Sequence, residues 1–307
     1  MKRGVWRSLL LSLTLISGAA HAAACCMSAS VVGTGRLVAW EDAAAGLSTS
    51  WSHGTGRFDA AGGYHSFSAG LLEDELRVEG WAIVRLAERW QVSARVPWVT
   101  GVRASPDGST SVGTGLGDVS AAARWEAISL GEYEWVPGIA VVAQVLGPTG
   151  RRPEQATDAL GATATGRGAW AASVGVVAEV TQLPWFVRLD LAGVYNAPFV
   201  RADTRQVQNF GPGLQVGLSG GRELFSERLV VALALRFEHE FPLWLDGKTV
   251  MASGSTGLIS ALSASFKLTS HWVLTAAVST DVLGRTGVAH NRNDVVAFNL
   301  GVRRGFF

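Results

Sequence analysis

Over residues 229–241 almost every second residue is apolar: Leu229, Val231, Leu233, Leu235, Phe237 and Phe241, interrupted by His239. The other parity runs Val230, Ala232, Ala234, Arg236, Glu238 and Glu240. Successive side chains of a strand point to opposite faces, so this stretch predicts a strand with one greasy face. Its other face turns from small to charged.

The same alternation recurs along the chain. Leu76, Val78, Ala82, Val84 and Leu86 stand against Glu75, Arg77, Glu79 and Arg85, and Trp90, Val92, Ala94, Val96 and Trp98 against Gln91, Ser93 and Arg95. Trp125 and its neighbours oppose Arg124 and Glu126, and Val187, Leu189 and Leu191 oppose Arg188 and Asp190. About twelve such strands can be counted, joined alternately by short turns and longer polar loops. The long connections fall at residues 58–70, 103–113, 148–167, 198–208, 246–254 and 284–293. That alternation predicts an all-β, up-and-down antiparallel transmembrane barrel with its short turns on the periplasmic side. An even strand number puts both ends of the barrel on that side.

Parity then assigns the charges. A charge facing hydrocarbon costs on the order of 2–4 kcal/mol at the midplane. Glu75, Arg77, Glu79, Arg95, Arg124, Glu126, Arg188, Asp190, Arg236 and Glu238 are therefore expected to line the lumen. They either fill it with ion pairs or border a passage, and the pattern leaves both open. His239 and Arg304 fall on the lipid parity, near strand ends where long side chains snorkel to the interface. Trp90, Trp135, Trp185 and Trp272 follow short turns at hairpin spacing and are the expected periplasmic aromatic girdle.

Composition adds limits. There are 26 Lys+Arg against 25 Asp+Glu, a net charge of +1 that gives no nucleic-acid footprint. Hydrophobic residues make up 48%, yet beyond the first residues no apolar run reaches the length of a membrane helix. Gly at 37 and Trp at 12 suit many twisted strands with aromatic anchors.

The chain opens with a leader. Lys2, Arg3 and Arg7 precede an apolar stretch over 9–16, and Ala20-His21-Ala22 is a small-x-small cleavage site. The expected organisation is a signal peptide over 1–22, a periplasmic N-terminal segment over 23–42 and a barrel over 43–307, in the outer membrane of a Gram-negative bacterium. Cys25 and Cys26 are adjacent near the cut. Lipidation, a disulfide or no role remain open, although Ala22-Ala23-Ala24 lacks the bulky residue of a lipid-attachment motif. Two neighbouring cysteines do not make a tetrahedral metal site, and no cofactor is expected.

Three further motifs bear on function. The terminal Asn299, Gly301, Phe306 and Phe307 resemble the insertion signal of outer-membrane proteins, which implies the barrel-assembly machinery and membrane lipid as partners. Gly217-Leu218-Ser219-Gly220-Gly221 matches G-x-S-x-G but lies inside an alternating strand, where a nucleophile elbow does not fit. Gly113-Thr114-Gly115-Leu116-Gly117-Asp118 lacks the helix and lysine of a phosphate loop.

Several stretches together resemble the outer-membrane family named after the meta-pathway of phenol degradation. They are Val96-Pro97, then Gly115-Leu116-Gly117-Asp118 leading into Ala123-Arg124-Trp125, and Pro148-Thr149-Gly150 at the head of a long loop. Leu160-Gly161-Ala162-Thr163 departs from the L-G-x-G that the family often carries. The resemblance implies uptake of small, aromatic or hydrophobic compounds, and carries over no ligand-contact residue. The expected function is a passive channel or transporter for small molecules rather than an enzyme. The alternatives are a structural or adhesion barrel working through its loops, and a barrel-embedded hydrolase.

Overall fold

The computed structural model describes residues 35–133, 135–225 and 228–307; the leader and both cysteines lie outside them. Twelve long strands carry the fold: β1 (Ala43–Phe58), β2 (Leu72–Ala87), β3 (Trp90–Ala104), β4 (Val119–Ile128), β5 (Gly138–Gly147) and β6 (Ala171–Gln182), then β7 (Trp185–Asn196), β8 (Gly213–Leu224), β9 (Leu229–Glu240), β10 (Ser255–Lys267), β11 (Trp272–Thr280) and β12 (Arg292–Phe306). Each pairs antiparallel with its chain neighbour, and β12 returns to β1 from Ala43↔Phe306 to Phe58↔Arg292. The closed sheet leaves no edge, which is what a β-structure in hydrocarbon requires.

The barrel is inside out relative to a water-soluble sheet protein. Leu47, Leu76, Val96, Val176, Leu189, Leu233, Leu262 and Leu300 stand exposed on its outer face. Their in-between neighbours Ile83, Val99, Val142, Val177, Ala192 and Val230 are buried inside. Lipid replaces a protein core as the solvent for the greasy parity.

Where the structure departs from the sequence pattern, loops have become ordered. The expected loop over 103–113 is mostly hairpin: Thr110–Leu116 pairs with the upper half of β3 from Trp98↔Leu116 to Ala104↔Thr110. Connections expected as bare loops at 198–208 and 246–254 contribute short strands. Phe199–Val200, Val207–Asn209, Trp244–Leu245 and Lys248–Thr249 form a second, four-stranded sheet at the outer end.

The loop after β5 folds inward. Gly101, Gly113, Gly115 and Gly117 occupy the inner parity of the wall, and the loop backbone lies against them. A Cβ on Gly113 would come within 2.3 Å of Thr163 Cα, and one on Gly101 within 2.9 Å of the Ala162 carbonyl. The loop is pinned there by polar contacts. Thr149 Oγ1 donates to the Gly117 carbonyl at 2.6 Å and Thr165 Oγ1 to Leu116 at 2.7 Å. The Asp118 carboxylate accepts from the amides of Gly150 and Arg167 at 2.9 and 2.6 Å. Within the loop, Asp158 accepts from the Thr163 hydroxyl and the Ala162 and Thr163 amides, which hold its carboxyl well below the usual range.

Gly113→Ala should therefore lift the loop off the wall. Overpacking of this kind costs about 1–3 kcal/mol, so proteolysis within 148–170 is expected to speed up roughly tenfold in the folded barrel. Unchanged cleavage would mean the wall does not hold the loop.

Candidate functional site

The lumen divides into three levels, and each is set by inward side chains. At the end of the barrel that carries the short turns, residues 35–42 turn into the mouth. The Leu37 amide donates to Gln91 Oε1 at 3.0 Å, and Arg85 reaches the Val38 and Glu41 carbonyls at 2.7 and 3.0 Å. Arg36 crosses to Glu179 of β6 at 3.4 Å. Glu41 pairs with Arg303 of β12, Nη1 to Oε1 at 2.8 Å, and both are almost fully buried. Leu37 packs with Ala44, Ile83 and Trp81. This short segment closes much of the lower mouth.

The wall beside it is packed too. Arg124 meets Glu126 at 3.3 Å, and Arg188 meets Asp190 at 2.7 Å, with Glu126, Arg188 and Asp190 buried and Arg124 nearly so. Gln91 donates to Glu126 at 3.3 Å. Apolar clusters of Phe186 with Val230 and Ala232, and of Val142 with Val177 and Ala192, fill the gaps. The recurring motif is an arginine with an acid two residues later, which the strand period places side by side on one face.

Above the plug lies a cavity of about 480 Å³, bordered by Arg36, Arg77, Glu79, Trp81, Arg95, Asp190, Arg236 and Arg303. Its other flank is small and hydroxylated, with Ser48 and Ser50 of β1, Ser263 and Ser265 of β10, Thr275 of β11 and Asn299 of β12. Higher still, Arg167 of the inward loop pairs with Glu240 of β9 and covers the ring of Phe210 at 4.2 Å. The loop thus rests on the wall at β3 and reaches over the lumen to β9.

Of the ten lumen residues expected from parity, five border the cavity: Arg77, Glu79, Arg95, Asp190 and Arg236. Arg124, Glu126 and Arg188 sit in the packed lower wall. Glu75 and Glu238 are ion partners of Arg77 and Arg236, each at 3.0 Å. Sequence reasoning did not single out Arg36 and Glu41, which lie in a segment without strand periodicity, or Arg303, the neighbour of a residue that was weighed. The available signal was three charges, Arg36, Glu41 and Asp42, in an eight-residue lead-in to a barrel, where a free tether has no need of them.

The four tryptophans are exposed, from 40% for Trp272 to 76% for Trp135. Trp90, Trp185 and Trp272 open β3, β7 and β11, whereas Trp135 lies in the turn before β5. Arg222 covers Trp185 at 5.0 Å. Arg304, on the outer parity, covers Trp272 at 5.5 Å and Phe306 at 5.0 Å, so its charge sits over aromatic faces at the rim. His239 bonds Thr256 Oγ1 at 2.9 Å at the opposite end of the barrel. Asn299 and Gly301 lie on the inner parity of β12, while Phe306 is exposed and Phe307 meets the His271 ring at 4.7 Å.

Chemistry of a hydrolase is not assembled around the G-x-S-x-G stretch: it lies within β8, paired with β7 and β9 on both sides. His53 bonds Asp74 at 2.6 Å and His65 bonds Asp59 at 3.0 Å, both at the outer rim. Among the described residues no cluster of three or more metal-ligating side chains occurs.

Solved structures share this architecture. An outer membrane channel from Pseudomonas putida F1 superposes with a TM-score of 0.68 at 14% identity, over 87% of this chain and 96% of the channel. The NanC porin superposes with a TM-score of 0.50 at 6% identity, over 85% of this chain and 98% of the porin. No family profile and no curated protein matches the sequence. Closure, apolar belt and shared architecture make the chain an outer-membrane β-barrel.

Proposed function

We propose that this barrel is a passive channel that carries small molecules through the outer membrane of a Gram-negative bacterium, and that it is not an enzyme. The observation that carries the reading is the mid-lumen cavity of about 480 Å³, bordered by charged and hydroxylated side chains as well as apolar ones inside a greasy wall. A barrel built only as a scaffold gains nothing from leaving charged side chains around unfilled space in its middle. The P. putida structure is that of a channel, which supports the reading. The ion-paired lower wall favours the second reading, a structural barrel without transport.

Other parts follow from this proposal. Trp90, Trp135, Trp185 and Trp272 anchor the periplasmic interface, with the rings in the apolar zone and N–H groups near water. Asn299, Gly301, Phe306 and Phe307 address the chain to the barrel-assembly machinery. Residues 1–22 are removed as a signal peptide, and 23–42 lead into the barrel from the periplasmic side.

Purified protein in planar lipid bilayers tests the reading. Steady single-channel conductance is expected, and a silent barrel under all voltages would favour the structural role. Glu240→Gln, which releases Arg167 of the inward loop, should make openings roughly twofold more frequent, since a half-exposed pair of this kind contributes about 0.5 kcal/mol. Identical gating in the variant would remove the loop from the path.

A further inference from the structure

The mid-lumen cavity has a chemical bias that the wall as a whole lacks. Five arginines and two carboxylates border it. Arg77 of β2 and Arg236 of β9 approach from opposite walls and keep 44% and 39% of their side chains exposed. Their partners Glu75 and Glu238 lie outside the lining. The two acids inside it are engaged: Asp190 by Arg188 at 2.7 Å, and Glu79 facing Arg95 at 4.0 Å. All five arginines are paired as well, but the acids of four of them, Glu179, Glu75, Glu238 and Glu41, lie outside the lining, so the charge that borders the space is predominantly positive.

The same space has an apolar side. Trp81 and Ile259 border it, and Ala261, Ala277 and Ala297 leave room beside them. A purely ionic lumen would not retain an uncharged ring, and a purely greasy one would not replace the water around an anion. This cavity offers both surfaces a few residues apart, within the size range of small-ligand pockets, about 300–1,000 Å³.

We propose that the cavity is a binding site for a small organic anion with one carboxylate on an apolar body. The carboxylate meets Arg77 or Arg236, whose planar guanidinium groups match it by paired hydrogen bonds. The body lies against Trp81 and Ile259. The proposal rests on the channel reading and narrows it: the solute that pauses in this passage carries a negative charge.

The test titrates the detergent-solubilised barrel by calorimetry with benzoate, benzyl alcohol and acetate. Benzoate should bind about tenfold more tightly than either, since benzyl alcohol lacks the charge-assisted bond and acetate lacks the ring that lies against Trp81 and Ile259. Two charge-neutral pair variants, Arg236→Gln with Glu238→Gln and Arg77→Gln with Glu75→Gln, separate the site from the overall field. At least one should bring benzoate down to the level of benzyl alcohol. Equal binding of benzoate and benzyl alcohol overturns the proposal, as does acetate binding as well as benzoate. Indifference of benzoate to both pair variants overturns it too. Conductance of the same preparation reads the channel separately. Conductance without a benzoate preference removes the site and leaves the channel; benzoate binding without conductance keeps the site and removes the channel.

Discussion

Leu233→Arg is expected to cost the barrel about 2–4 kcal/mol, the price of a guanidinium placed near the bilayer midplane. Leu233 lies in the middle of β9 and is 66% exposed on the outer face, so the new charge would meet hydrocarbon. Its neighbour Ala234 borders the cavity on the other parity. Ala234→Arg adds the same side chain one residue away, and should cost much less because the lumen is wet and roomy. Reversible unfolding in phospholipid vesicles, followed by tryptophan fluorescence, measures both. Equal losses would mean that the two faces of β9 do not differ in solvent, and the membrane assignment would fail with them.

Glu41→Gln should open the lower mouth. It leaves Arg303 without its carboxylate in a place where the guanidinium is almost fully buried. Removing one partner of a buried pair costs about 3–5 kcal/mol. The other anchors of the segment over 35–42, among them Arg36 on Glu179, the Leu37 amide on Gln91 and Arg85 on two carbonyls, are single contacts of about 0.5–1.5 kcal/mol each, so loss of the buried pair is the largest single change to what keeps it seated. The expected outcome is release of the segment and not unfolding of the barrel, seen as a severalfold rise in single-channel conductance with the thermal midpoint little changed. Glu41→Gln combined with Arg303→Gln removes both charges, and should restore part of the closed behaviour. That non-additivity is the signature of a direct pair. If conductance stays at the parent level in the single variant, the pair is not what seats the segment.

The barrel itself was legible because lipid and lumen enforce a strict two-residue period. Every strand that crosses must repeat it, and β9 does so with a single exception at His239. The face taken by each charged position follows from the same rule, which assigns Arg77, Asp190 and Arg236 to the interior. The period says nothing about what fills the lumen. Residues 35–42 and the loop over 148–170 bury backbone against inward side chains, and such irregular segments leave no repeating trace. Part of the loop's seat was nevertheless readable. Gly101, Gly113, Gly115 and Gly117 fall on the inner parity of adjacent segments, and a run of missing side chains on one face marks where another backbone lies close. Arg304 was an exception for a similar reason: its compensation comes from the faces of Trp272 and Phe306, which a period-two pattern does not see.

The pairing of β1 with β12 has a consequence for how the molecule is made. Its partners, such as Ala43 and Phe306, stand at opposite ends of the barrel sequence. A ribosome delivers one of them long before the other, and until then β1 presents an open ladder to whatever it meets. Contacts so distant along the chain form slowly, and an unsatisfied strand edge recruits other chains. Until β12 arrives, the open ladder of β1 leaves the unfinished chain prone to self-association, and closing the sheet removes that hazard.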